Sequence, residues 1–279
     1  MRSAPAMEYI VSKSILFVFT PILLVSTSLL FVFAQATPPA APEEVRTEDS
    51  ALLPIPGAVL YNNVYGKGDI ANYRQSVFRG KETGWDWDWP ESGGPVLKNY
   101  PEVLVGRSPW SDAGGFAGAA GLNAGDQLPR RLAEARLTID FDFTTVANGL
   151  WLGSFDFWIT RSDHPTTRDI VSNLCIWTIN HGLKPSDVYK GRHEMLKIGG
   201  RTYEAIFETP KGQPNKPWKT LCLVDTEPRS KGSLELGPLM DALIAHGLAK
   251  PTDFLATAEL GSEVAYGKGR TTLRTFRLR

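Results

Sequence analysis

Apolar and polar residues alternate along much of this chain with a period of two. Leu137, Ile139, Phe141 and Phe143 are separated by Thr138, Asp140 and Asp142, which describes a strand with one buried face and one wet face. Segment 151–160 sets Phe155 and Phe157 on one side and Ser154, Asp156 and Trp158 on the other. Segment 173–179 divides in the same way, with Asn173, Cys175 and Trp177 opposite Leu174, Ile176 and Thr178. Residues 196–207 predict a hairpin turning at Gly199-Gly200, and 218–224 and 270–278 predict further strands. Many short strands joined by Gly and Pro turns indicate an all-β sandwich or barrel. One stretch has helical spacing: Leu236, Leu239, Met240, Leu243 and Ile244 form a stripe, Pro238 suits the first turn and Gly247 the C′ position. That helix, over about 236–246, is expected to pack on the convex back of a sheet.

The start of the chain breaks the alternation. Residues 14–33 are uncharged and overwhelmingly apolar, Arg2 and Lys13 precede them, and Ala34-Gln35-Ala36 follows as a small-x-small site. The order predicts a secretory signal over 1–36 cleaved after Ala36, with an uncleaved membrane anchor as the other reading. Residues 37–50, rich in Pro, Ala and acid, read as a flexible tether, so the folded domain is expected over 51–279. The expected location is outside the cytosol, secreted or periplasmic.

Composition narrows the partners. Lys plus Arg and Asp plus Glu are balanced at 30 each, and removing Arg2, Lys13 and Glu8 with the leader leaves 28 against 29. No basic field exists to grip a phosphate backbone, which speaks against nucleic acid. Cys175 and Cys222 are too few for a thiolate metal site, and His164, His181, His193 and His246 lie far apart, so no metal is expected. The two thiols are expected to be free. Eight Trp, eight Tyr and thirteen Phe are the unusual quantity, because flat aromatic faces are what sugar rings stack on.

Hydrolysing a glycosidic bond requires two carboxyl groups flanking it. Asp156, between Ser154 and Trp158 on an otherwise apolar strand, is one candidate. Glu263 is the other, on a face shared with Glu259 and Gly261. Both are equally compatible with solvated outer-face positions. The glycine-rich run 114–125 lacks the Lys-Ser/Thr of a phosphate loop and reads as a surface loop, and Asp163-His164 reads as a solvated turn.

From about Leu60 to Leu278 the chain resembles glycoside hydrolase family 12, the secreted endoglucanases and xyloglucanases. Asn62-Asn63-Val64-Tyr65-Gly66 is similar to the family's N-N-x-W-G, and Trp85-Asp86-Trp87 with Ser-Tyr-Pro-like Asn99-Tyr100-Pro101-Glu102-Val103 to its W-x-W and S-Y-P-x-V. Phe155-Asp156-Phe157-Trp158 resembles Y-D-[IL]-W, Asn173-Leu174-Cys175-Ile176-Trp177 stands where the family has E-[IL]-M-I-W, and Gly261-Ser262-Glu263 resembles G-T-E. The resemblance implies a β-jelly roll of two curved antiparallel sheets with an open cleft on the concave side and one short helix outside. It implies Glu263 as general acid/base, Asp156 as the carboxylate beside the nucleophile, and Tyr65, Trp87 and Trp177 as cleft-lining aromatics, with Trp177 equally readable as core. The implied ligand is a β-linked glucan, no cofactor is needed, the chain is expected to be a monomer, and any membrane contact would be through the uncleaved leader.

The departure is Asn173, which occupies the family's nucleophile position. An amide cannot form the usual glycosyl-ester intermediate. Three readings follow: a hydrolase with inverting chemistry, in which Glu263 protonates the leaving oxygen and Asp156 activates water; a catalytically silent polysaccharide-binding protein; or a structural envelope protein, against which the dense aromatics count.

Overall fold

The computed structural model describes residues 44–92, 97–110, 127–209 and 217–279. The expected leader and the glycine-rich run 114–125 lie outside them. Among the described residues fifteen strands, numbered in chain order, form two layers joined by one long strand. The outer layer holds β1 (Val45–Arg46), β4 (Arg74–Arg79), β5 (Thr83–Trp89), β8 (Thr138–Ala147) and β14 (Lys231–Glu235). The second layer, called the cleft sheet below, runs β2 (Leu52–Ile55), β3 (Ala58–Asn63), β6 (Tyr100–Gly106), β15 (Phe254–Leu278), β9 (Leu150–Thr160), β10 (Ile170–His181), β13 (Lys219–Asp225), β12 (Arg201–Glu208) and β11 (Arg192–Ile198). The short β7 (Arg130–Arg131) pairs with the start of β15.

Strand β15 serves both layers. Its residues up to Tyr266 pair with β6 and β9, and from Gly267 onward it pairs with β5 and, from Gly269, with β8. The change of layer falls at Gly267, whose φ of +110° and whose hypothetical Cβ, 2.3 Å from the Asn148 carbonyl oxygen, both demand glycine. Sequence periodicity reads only 270–278 as the closing strand, because the bend interrupts a run of 25 residues.

The alternation assigns faces correctly on β8, β9 and β10. Ile139, Phe141, Phe143, Phe155, Phe157, Leu174 and Ile176 are all buried in one core between the layers. Each such side chain contributes about 1.5–3 kcal/mol relative to exposure. The pairing is antiparallel throughout with one exception: β10 and β13 run parallel, because β11, β12 and β13 fold back as a meander that returns beside β10. The predicted hairpin turns at Gly199-Gly200 with φ of +56° and +81°.

The predicted helix is α2 (Leu236–Ala245), following a one-turn α1 (Pro185–Val188) that periodicity did not mark. Leu236, Leu239, Met240 and Leu243 bury its stripe in the core. It ends as a Schellman motif: Gly247, at φ +66°, donates to Ile244 O at 3.0 Å and Leu248 to Leu243 O at 2.9 Å.

Two expectations are corrected. Residues 44–50 are not a tether: Val45 and Arg46 pair with Arg79 and Phe78, Arg46 is ion-paired to Glu44 and Asp86, and Ser50 N donates to Asn62 O at 2.8 Å. The fold therefore includes residues from Glu44 rather than beginning at Ala51. Trp87 does not line the cleft. In the W-x-W-x-W of β5 all three rings turn inward, Trp87 is 2% exposed, and it packs against Trp151 with ring centroids 5.9 Å apart. Gly269 makes room for that ring, since a Cβ there would stand 2.2 Å from Trp87 Cζ2.

A core ring and a cleft ring should separate in a denaturation experiment. Trp87→Ala is expected to lose about 3–5 kcal/mol of stability, whereas truncation of the exposed Tyr65 should stay within about 0.5 kcal/mol. Equal losses in urea titrations would contradict this placement.

Candidate active site

The concave face of the cleft sheet is built by the positions that alternate away from the core. These are Tyr61 and Asn63 on β3, Tyr100 and Glu102 on β6, Glu259 and Glu263 on β15, Asp156 and Trp158 on β9, and Asn173 on β10. With Tyr65, Trp110, Tyr189 and Trp218 from the connections, they line a cleft of about 650 Å³. Of the residues expected from sequence, Tyr65, Asp156, Asn173 and Glu263 meet here.

Trp177 does not join them. It lies on the same side of β10 as Asn173, but Tyr189, Leu183 and Leu97 pack over it in a small apolar cluster and leave it 1% exposed. Its ring centroid is 6.0 Å from that of Tyr189, which lines the cleft in its place. Cys175 and Cys222 are paired in register across β10 and β13 as free, buried thiols. Burial pushes the Cys175 thiol well above its ordinary value. Asp169 ends a 3-10 turn, accepting from the Thr166 backbone N–H at 2.9 Å, and is not among the cleft-lining residues.

Asn173 is nearly buried and points at an acid: its Nδ2 donates to Asp156 Oδ1 at 2.9 Å. The amide thus fixes one oxygen of the carboxylate. Tyr65 lines the cleft and leaves 57% of its surface open to solvent, although its phenol sits among many surrounding protein atoms. Burial, then the charges of Glu263 and Asp156, hold its phenol well above the ordinary range.

Two further acids complete the floor. Glu259 is the cross-strand partner of Asp156, and Glu102 is the partner of Gly261 on the other side of β15. Glu259 Oε2 accepts from Trp158 Nε1 at 3.2 Å, and Glu102 Oε1 from Asn63 Nδ2 at 3.2 Å. Burial, with Asp156 adding its charge, pushes Glu259 up to about 8, and burial beside Glu259 pushes Glu102 well above the ordinary range. Trp158, Trp110 and Trp218 meet edge to face with centroids 5.4–5.8 Å apart, forming an apolar wall. Sequence reading passed over Glu102 and gave Glu259 no role. The usable signal was a charge at an alternating position of a strand buried throughout, next to Tyr100.

A two-layer β-sandwich with a long strand common to both sheets is a jelly-roll architecture, and acids converging beside aromatic walls in a concave cleft are the features of a ligand site. No protein-family model matches the chain. It is 23% identical over 224 residues to endoglucanase S of Pectobacterium parmentieri, covering 78% of this chain and 80% of that one. Among solved structures it is similar to a family 12 xyloglucanase from Bacillus licheniformis, with a TM-score of 0.71 and 20% identity over 85% of this chain and 99% of that one. It is also similar to endoglucanase 3 from Trichoderma harzianum, with a TM-score of 0.66 and 15% identity over 85% and 97%. The fold is therefore the jelly roll of glycoside hydrolase family 12, as the motifs implied.

The raised acid has a consequence for stability. A carboxyl held at about 8 instead of its ordinary 4.5 stabilises the fold in its protonated form, fully below pH 4.5, and that contribution is lost as the pH rises to about 8. The urea midpoint should fall through this window in the unmodified protein, and Glu259→Gln should flatten the fall. An identical slope in the variant would contradict the assignment.

Proposed function

We propose that this protein is a β-glucan-directed glycoside hydrolase in which Glu263 is the general acid/base and Asp156 the base that activates water. The observation that carries the reading is the cleft itself, where Glu263, Asp156 and the open ring of Tyr65 stand together beside three tryptophans. The names of the similar proteins, an endoglucanase and a xyloglucanase, support a β-linked glucan as the ligand.

The chemistry follows from Asn173. With an amide in place of a nucleophile, direct attack on the anomeric carbon is replaced by attack of water. Glu263 stands four residues along β15 from Glu259, the partner of Asp156. At about 3.3 Å per residue that offset separates the two backbone positions by about 13 Å along the strand. An inverting pair needs its carboxyl groups about 6.5–9.5 Å apart to leave room for the water, so the Glu263 and Asp156 side chains must close part of that backbone offset. Glu263 gives its proton to the leaving oxygen, and Asp156, one oxygen fixed by Asn173, takes a proton from the incoming water.

A second reading is favoured by the same asparagine. If its bond to Asp156 holds that acid away from water, the cleft binds glucan without cutting it. The export reading belongs here too: the apolar run 14–33 and the Ala34-Gln35-Ala36 site support delivery across a membrane, where polymeric glucan is met.

Release of reducing ends from cellulose-derived glucan, mixed-linkage glucan and xyloglucan distinguishes the readings. The unmodified chain is expected to release them with inversion at the anomeric carbon, and Glu263→Gln to be slower by about 10²–10⁴-fold. Activity found only in Asn173→Glu would establish the binding reading instead. No product from any form would overturn the glucanase proposal.

A further inference from the structure

Five carboxylic acids line the cleft, Glu102, Asp156, Asp187, Glu259 and Glu263, and among the described residues no Lys, Arg or His lines it with them. Among those residues no three acids, Cys or His are grouped to hold a metal ion either. Glu102 and Glu259 are the most deeply placed, 2% and 5% exposed. Two carboxylates so close, without a cation, cannot both stay charged.

Their contacts fit a single proton held between them. Each has one outer oxygen anchored by a neutral N–H, from Asn63 on Glu102 Oε1 and from Trp158 on Glu259 Oε2. Glu102 Oε2 is buried and, among the described residues, meets no donor from any other side chain or from the backbone. An orphaned carboxylate oxygen beside a second carboxyl is satisfied when that carboxyl carries a proton. Gly261 leaves room beside Glu102, since a Cβ there would approach Glu102 Cβ to 2.9 Å and Tyr100 Cε2 to 2.7 Å.

We propose that Glu102 and Glu259 share one proton and together form the polar contact by which the cleft floor holds a ring hydroxyl of a bound glucan. The proposal rests on the glucan reading above. With the shared proton engaged between Glu102 and Glu259, the pair presents acceptor lone pairs to which a sugar hydroxyl donates. The Trp158 ring that anchors Glu259 belongs to the tryptophan wall, so the hydroxyl contact lies beside an apolar surface suited to the sugar's face. Every other titratable group lining the cleft adds negative charge or none: Asp156 from β9, Glu263 from β15, Tyr61 from β3, Tyr100 from β6, Tyr65 from the connection after β3, and Asp187 and Tyr189 from α1 and its C-terminal end. Loss of the shared proton therefore leaves adjacent anions that repel each other and spread the pair that the hydroxyl meets, and glucan affinity falls with it.

Two measurements on the full chain test this. Infrared spectra across pH should show a protonated-carboxyl band lost in the mildly alkaline range in the unmodified protein. Glu102→Gln and Glu259→Gln should each shift or remove that step by about one pH unit or more, because the amide N–H replaces the shared proton. Absence of a step above pH 6, or a step unmoved in both variants, would overturn the shared proton. Calorimetry with cellotetraose and a xyloglucan heptasaccharide should show affinity falling about tenfold between pH 6 and 9. In the glutamine variants affinity should be nearly flat over that range. A pH dependence equal in all forms would overturn the contact. No binding by any form at any pH would overturn the glucan reading and the contact with it, leaving the infrared step to decide the proton.

Discussion

A strand can belong to two stacked sheets only where its backbone turns sharply out of one plane, and in this chain that turn is made by Gly267 in β15. Much else depends on it. On one side of the bend β15 lies between β6 and β9 and presents Glu259 and Glu263 to the concave face. On the other it lies between β5 and β8 and closes the outer layer over the tryptophans of β5. The strand that closes the core is therefore the strand that positions two of the cleft's acids.

The cleft sheet then works against ordinary electrostatics. Period-two geometry puts Asp156 directly across from Glu259 and brings Glu102 alongside, and no basic residue among those described answers them at the cleft surface. The fold relieves this in two ways. Neutral donors, the Asn173 and Asn63 amides and the Trp158 indole, each take one carboxylate oxygen, and burial keeps the deepest pair from ionising fully. Asn173 thus has a physical role whatever the chemistry: a Glu in its place would add another acid within reach of Asp156. An amide at this position therefore keeps the charge of the floor lower.

What could be read from the sequence follows from the same geometry. Faces were legible on β8, β9 and β10 because one face of each is buried, so Phe155 and Phe157 had to oppose Asp156. The helix end was legible because Gly247 is required by a local motif. Alternation, however, says only that residues share a face, not which layer covers it. Trp85, Trp87 and Trp89 form a perfect alternating set, and nothing local distinguishes a core set from a sugar platform. Trp177 shares the correct face, yet it is covered by Tyr189 and Leu183 from a connection whose path depends on α1. Glu102 acquires its meaning only from Glu259, which β15 brings beside it from far along the chain. The composition of 37–50 suggested a tether, but two residues of edge pairing and the ion pairs of Arg46 suffice to dock its second half.

The central claim is that the concave face is where a glucan chain lies, over an amide-held aspartate instead of a nucleophile. A crystal structure of the full chain bearing Glu263→Gln, soaked with cellotetraose, tests it most directly. The account places the sugar rings along the cleft against Tyr65 and Trp158, with a hydroxyl at Glu102 and Glu259 and a water between Asp156 and an anomeric carbon. Sugar density in the groove on the outer sheet between Arg46, Asp88 and Lys268, with the cleft vacant, would contradict it.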